Sequence, residues 1–94
     1  MPNVTVRIPT PLRSFANGAD QVQVHGGTVG EVVQSLGKVH DGLIERILDS
    51  DGGVRQFVNL YLGSDNIRDL QGLDTPVSER DIVSILPAVA GGCA

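Results

Sequence analysis

Few side chains in this sequence have the types and spacing that chemistry requires. His25 and His40 are the only histidines among the 94 residues. Neither stands in a metal-ligand spacing such as H-x-x-x-H, so both read as surface or turn residues. Ser14, Ser35, Ser50, Ser64, Ser78 and Ser84 lack a nucleophile-elbow context. Gly26-Gly27-Thr28-Val29-Gly30 is glycine-rich, but it has neither the P-loop lysine nor the G-x-G-x-x-G spacing. It reads as the lead into a helix rather than a phosphate cradle. Glu45, Asp49 and Asp51 do not follow the ligand order of an EF-hand loop and read as solvated charges. A single cysteine, Cys93, makes neither an internal disulfide nor a multi-thiolate metal site. Nothing around it would lower a thiol pKa. No catalytic side chain, metal site or bound cofactor is therefore assigned.

What remains is a backbone carbonyl. After Pro87 come Ala88, Val89 and Ala90, then Gly91-Gly92. Seven extended residues reach about 23 Å. Two residues without Cβ make a thread slim enough for a narrow channel. Such a tail suits delivery of the Gly92 carboxylate into another protein's active site. The plainer reading is a disordered end with chance glycines.

A tail needs a domain to carry it. Val4, Val6 and Ile8 alternate with Thr5 and Arg7, and Val22 and Val24 alternate within Gln21 to His25. Period two predicts two half-buried strands, and Asn17-Gly18 between them predicts a turn. Thr28 followed by Glu31 predicts a capping box in which Glu31 returns to the Thr28 amide. Val29, Val32, Val33 and Leu36 then fall on one helical face, with Gly37 as the stop. Leu43, Ile44, Ile47 and Leu48 predict a second short helical turn, and Asp49 to Gly53 a loop. Phe57 to Leu62 predicts a central strand, buried on both faces or covered on one by a partner. A turn at Gly63 to Asn66, brief pairing at Ile67-Arg68 and a last strand over Ile82 to Leu86, ended by Pro87, complete the order.

Strand, strand, helix, strand, short strand, strand suits an α+β domain of the β-grasp type. That is a mixed sheet of four to five strands, one main helix across one face, and the first and last strands side by side in the middle. A ferredoxin-like fold competes but wants a second full helix. Residues 1–87 are expected to form the domain, 88–92 a flexible Gly-Gly tail and 93–94 a removable extension.

Seven Lys+Arg against eleven Asp+Glu give a formal charge of −4. That balance argues against a nucleic-acid backbone as partner. Three aromatic residues, Phe15, Phe57 and Tyr61, are too few for base stacking. No stretch is long and apolar enough for a membrane span, and Met1-Pro2-Asn3 does not start a signal peptide. A cytoplasmic domain without a membrane partner is expected.

Ile85-Leu86-Pro87-Ala88-Val89-Ala90-Gly91-Gly92 resembles the ending of the ubiquitin-like β-grasp sulfur carriers, the thiamine and molybdopterin sulfur-carrier family. The likeness runs in order along the whole chain. It includes Thr28-Val29-Gly30-Glu31, Phe57-Val58-Asn59-Leu60 and Ser78-Glu79-Arg80-Asp81-Ile82-Val83. Val4-Thr5-Val6, Ile8-Pro9-Thr10 and Arg55-Gln56-Phe57-Val58-Asn59 are similar to the members that supply sulfur for cysteine biosynthesis. The tail is the specific element; the rest is ordinary β-grasp patterning.

The resemblance implies a carrier that is not itself an enzyme. A ubiquitin-activation-type enzyme would use ATP to adenylate Gly92, and sulfur would displace AMP to leave a thiocarboxylate. A sulfur-accepting synthase would then take the sulfur for an amino acid, a cofactor or a siderophore. Many such carriers stop at the second glycine, whereas Cys93-Ala94 follows here. That departure resembles a precursor trimmed by a JAB/MPN-type zinc metallopeptidase. In the family, an apolar patch near the tail meets the activating enzyme. Leu60, Leu62 and Leu86, with Arg7 nearby, are expected to form it, against the alternative that all three leucines are core. Two other classes remain: a ubiquitin-like modifier conjugated through Gly92, and a β-grasp interaction module with an inert tail.

Overall fold

Alternation and capping place the elements largely where the sequence predicts them. The computed structural model describes residues 2–56 and 58–87. The predicted tail with Gly91 and Gly92, the Cys93-Ala94 extension and Phe57, the predicted first residue of the third strand, lie outside the described residues. The strands are β1 (Asn3–Arg7), β2 (Gln21–His25), β3 (Val58–Leu62), β4 (Asp65–Asn66) and β5 (Ile82–Pro87). They form one five-stranded sheet in the order β2-β1-β5-β3-β4. β1 and β5 run parallel, with Thr5 opposite Ile82 and Arg7 opposite Ser84; the other neighbours are antiparallel. This is the β-grasp arrangement, with first and last strands adjacent.

Helix α1 (Val29–Val39) crosses one face and α2 (Asp41–Ile47) follows it. Val29, Val32, Val33 and Leu36 of α1 are buried against Val4 and Val6 of β1 and Val83 and Ile85 of β5. Leu43 and Ile47 of α2 close the same core. The start of α1 is pinned on both sides: Val29 N donates to Thr75 O at 2.9 Å and Val77 N donates to Gly27 O at 3.0 Å.

Five details differ from the sequence reading. The capping box is one residue longer than predicted. Glu31 N donates to Thr28 Oγ1 at 3.2 Å, but the Glu31 carboxylate accepts from Gly27 N at 2.7 Å instead of from Thr28. Gly37 does not stop α1; it lies inside the helix, where Ile44 of α2 leaves no room for a Cβ. The link from β1 to β2 is an ordered 3-10 helix over Thr10–Ala16, turned back by Asn17 and Gly18 at positive φ. The short strand is Asp65–Asn66 rather than Ile67-Arg68, because the tight turn at Gly63 (φ 63) lets pairing with Tyr61 and Leu62 resume sooner. Finally, β3 is not central. β5 holds that place, and β3 is buried on one face only.

Candidate functional site

One sheet face is covered by the helices; among the described residues the other is open. Strand period decides which side chain lies on which. Val58 and Leu60 of β3, like Val83 and Ile85 of β5, point to the helices. Asn59 and Tyr61, with Ile82, Ser84 and Leu86, therefore point outward, as do Thr5 and Arg7 of β1. Ile82 is 42 % exposed and Leu86 49 %.

Register brings these outward residues into rows, since directly opposed residues share a face. Arg7 lies opposite Ser84, and Ser84 lies opposite Tyr61. In the next row toward the end of β5, Asn59 lies opposite Leu86. A shallow depression of about 340 Å³ opens here, lined by Arg7, Pro9, Arg13, Tyr61 and Leu86 among others. Arg13 is fixed at its edge by Nε donating to Ile8 O at 3.1 Å.

Of the four residues predicted for an apolar patch, Leu86 and Arg7 are on the open face. Leu60 is not. It is 1 % exposed and belongs to the core, which corrects the expectation that it faces outward. Leu62 shares its parity and packs half-buried against the core. Six residues of mixed polarity do not reveal strand phase, and one step of phase exchanges the two faces. Tyr61 is the outward residue that the sequence reading missed. Its signal is Asn59: once that amide is placed outward, period two carries Tyr61 with it.

Asn59 anchors a network beside Leu86. Its Oδ1 accepts from Arg68 Nη1 at 2.6 Å and from Asn66 Nδ2 at 3.4 Å. Arg68 Nη2 also donates to Arg55 O at 3.0 Å, and Arg68 N donates to Asn66 Oδ1 at 2.9 Å. One guanidinium thus joins the segment before β3, β3 itself and the turn after β4. β5 is parallel to β1, so Pro87 lies at the end of the sheet where β1 finishes and β3 begins.

Among the described residues, no group of three or more His, Cys, Asp or Glu is placed to hold a metal ion. The Ser35 hydroxyl donates to the His25 backbone carbonyl at 2.6 Å, not to its ring. No helix of the described residues is long and apolar enough to cross a membrane.

The sequence matches the ThiS family over residues 6–92. It is 44 % identical over 92 residues to the sulfur carrier protein CysO of Mycobacterium tuberculosis, covering 96 % of this chain and 99 % of that protein. The crystal structure of the BexX/CysO complex of Amycolatopsis orientalis superimposes with a TM-score of 0.89 at 37 % identity, covering 95 % of this chain and 99 % of the other. The solution structure of the small archaeal modifier protein 1 of Methanosarcina acetivorans gives a TM-score of 0.86 at 30 % identity, covering 98 % of each chain.

Proposed function

Because this chain belongs to the ThiS family of ubiquitin-like sulfur carriers, we propose that it carries sulfur as a thiocarboxylate on Gly92. The carrying observation is where the family match stops: it runs to residue 92, the second glycine of the pair.

A carboxylate is a poor electrophile, because it is anionic and its leaving group is oxide. Adenylation by a ubiquitin-activation-type partner consumes ATP, releases pyrophosphate and makes a mixed anhydride at the Gly92 carbonyl. Hydrosulfide then attacks that carbonyl and AMP departs, leaving –COS⁻. The soft sulfur anion is a nucleophile toward an acceptor held by a synthase, whose product is an amino acid, a cofactor or a siderophore. The chain itself contributes address and reach, and its partners contribute acids, bases and nucleotide.

In the sequence, the Gly92 carbonyl is in peptide linkage to Cys93. Activation therefore follows hydrolysis of the Gly92–Cys93 bond, which is the work of a JAB/MPN-type zinc metallopeptidase removing Cys93-Ala94. Leu86 and Arg7, joined by Tyr61, form the docking patch for the activating enzyme; Leu60 and Leu62 support it from the core side. The solved complex of CysO with BexX supports a fold that docks on another protein. Incubation with ATP, a sulfide source and the activating enzyme, read by intact mass, tests the proposal. One sulfur replacing one oxygen on Gly92 is expected, and a chain ending at Gly92 that never gains sulfur overturns it.

A second reading rests on the likeness to a small archaeal modifier protein. A modifier would join Gly92 to a lysine amine after the same activation. A ladder of conjugates on a gel, in place of the mass gain, separates the two.

A further inference from the structure

The chain has eleven acidic residues against seven basic ones, yet no Asp or Glu occupies an outward-facing position of β1, β2, β3 or β5. Two of the carboxylates sit at the far end of the sheet. There, Glu79 accepts from Asn3 N at 3.0 Å and Asp81 from Ser78 N at 2.7 Å. The apolar centre of the open face, Leu86 and Tyr61, is instead flanked by guanidinium groups. Arg7 stands on the β1 side, in the row of Ser84 and Tyr61. Arg68 stands on the β3 side, tied to the amide oxygen opposite Leu86.

Arg68 is prepared for a partner in two ways. Among the described residues its side-chain hydrogen bonds go to an amide oxygen and a backbone carbonyl, not to a carboxylate, so there its charge is oriented without being neutralised. Its rotamer freedom is already spent in the free protein, which removes an ordering cost from association.

We propose that this face docks a protein surface carrying an apolar side chain flanked by two carboxylates, one meeting Arg7 and the other Arg68. The proposal rests on the carrier reading above and names the chemistry of its activating partner. Complementarity of charge carries it. A chain of net charge −4 repels an acidic surface in general, and this face is where the repulsion reverses. Arg7 and Asn59 are two strands and one row apart, so the matching carboxylates are separated by roughly 12 Å. Flanking charges set orientation and encounter rate, while the desolvated apolar centre supplies most of the affinity.

The test is titration of the full chain with its ubiquitin-activation-type enzyme at low and at physiological salt, with thermal melts of every variant. Arg7→Glu and Arg68→Glu are each expected to weaken binding about tenfold and to flatten its salt dependence. Lys38→Glu, on α1 away from the face, is expected to bind as wild type. Asn59→Ala keeps the Arg68 charge while releasing its tether, and is expected to cost less than Arg68→Glu. Should a charge reversal fail to fold, Arg68→Gln and Arg7→Gln carry the same comparison. Wild-type affinity in the arginine variants, affinity indifferent to salt, or an Asn59→Ala loss equal to that of Arg68→Glu would each overturn the proposal. Intact mass of the same chain ending at Gly92, after incubation with ATP, sulfide and the activating enzyme, separates the two readings. Absence of sulfur on Gly92 refutes the carrier function, whereas sulfur on Gly92 with unaffected arginine variants refutes only the flanked docking surface.

Discussion

Gly37 of α1 approaches Ile44 of α2 so closely that a Cβ built on it would lie 2.9 Å from the Ile44 Cβ and 3.0 Å from its Cδ1. Alanine is the better helix former by about 1 kcal/mol, so propensity alone predicts that Gly37→Ala stabilises. Overpacking of about 1–3 kcal/mol opposes it. Net destabilisation is expected in urea titration, and a raised midpoint at constant slope would show that the helices separate freely.

Leu60 and Leu86 give opposite outcomes. Leu60 is 1 % exposed, so Leu60→Ala is expected to cost about 2–5 kcal/mol of stability. Leu86 is 49 % exposed, so Leu86→Asp is expected to change stability by no more than about 0.5 kcal/mol while abolishing activation by the adenylating enzyme. Denaturant curves, and a pyrophosphate-release assay on both variants in chains ending at Gly92, check this. A Leu86→Asp chain activated as fast as wild type would remove the residue from the docking surface.

The bond after Gly92 sets a third expectation. With Cys93 replaced by serine to exclude thiol chemistry, a chain retaining residues 93 and 94 should gain no sulfur from ATP, sulfide and activating enzyme. A chain ending at Gly92 should gain it. Sulfur on the longer chain in intact mass spectra contradicts a requirement for cleavage.

Thr28 is a measurable cap. Its hydroxyl accepts from Glu31 N at 3.2 Å, and Thr28→Ala is expected to cost about 1 kcal/mol. In a domain of this size that lowers the melting temperature by about 4–8 °C. Calorimetry giving no shift would mean that the backbone bridge to Pro76 holds the helix start alone.

Local signals carried far in this sequence. Alternation placed β1 and β2, the run from Ile82 to Pro87 placed β5, Thr28 with Glu31 placed the start of α1, and Asn17-Gly18 placed the turn before β2. What failed was information that exists only between segments. Gly37 carries the marks of a helix stop until Ile44 is seen to occupy the space beside it. The phase of β3 depends on which face the helices cover, so Leu60 and Tyr61 exchange roles on a matter their own neighbours do not encode. Arg68 reads in the sequence only as part of a brief pairing at Ile67-Arg68; its bonds to Asn59 and to Arg55 O appear only once β4 turns it back over β3.

The central place of β5 has a mechanical consequence. Tension applied beyond residue 87 acts along a strand that is hydrogen-bonded on both sides, to β1 and to β3. Those bonds lie across the strand rather than along it, so a pull loads them together in shear instead of breaking them one after another. An edge strand such as β4 would peel. A partner that draws the chain end into a narrow channel is thus pulling on the best-anchored strand of the sheet, and can hold it taut while the domain stays folded.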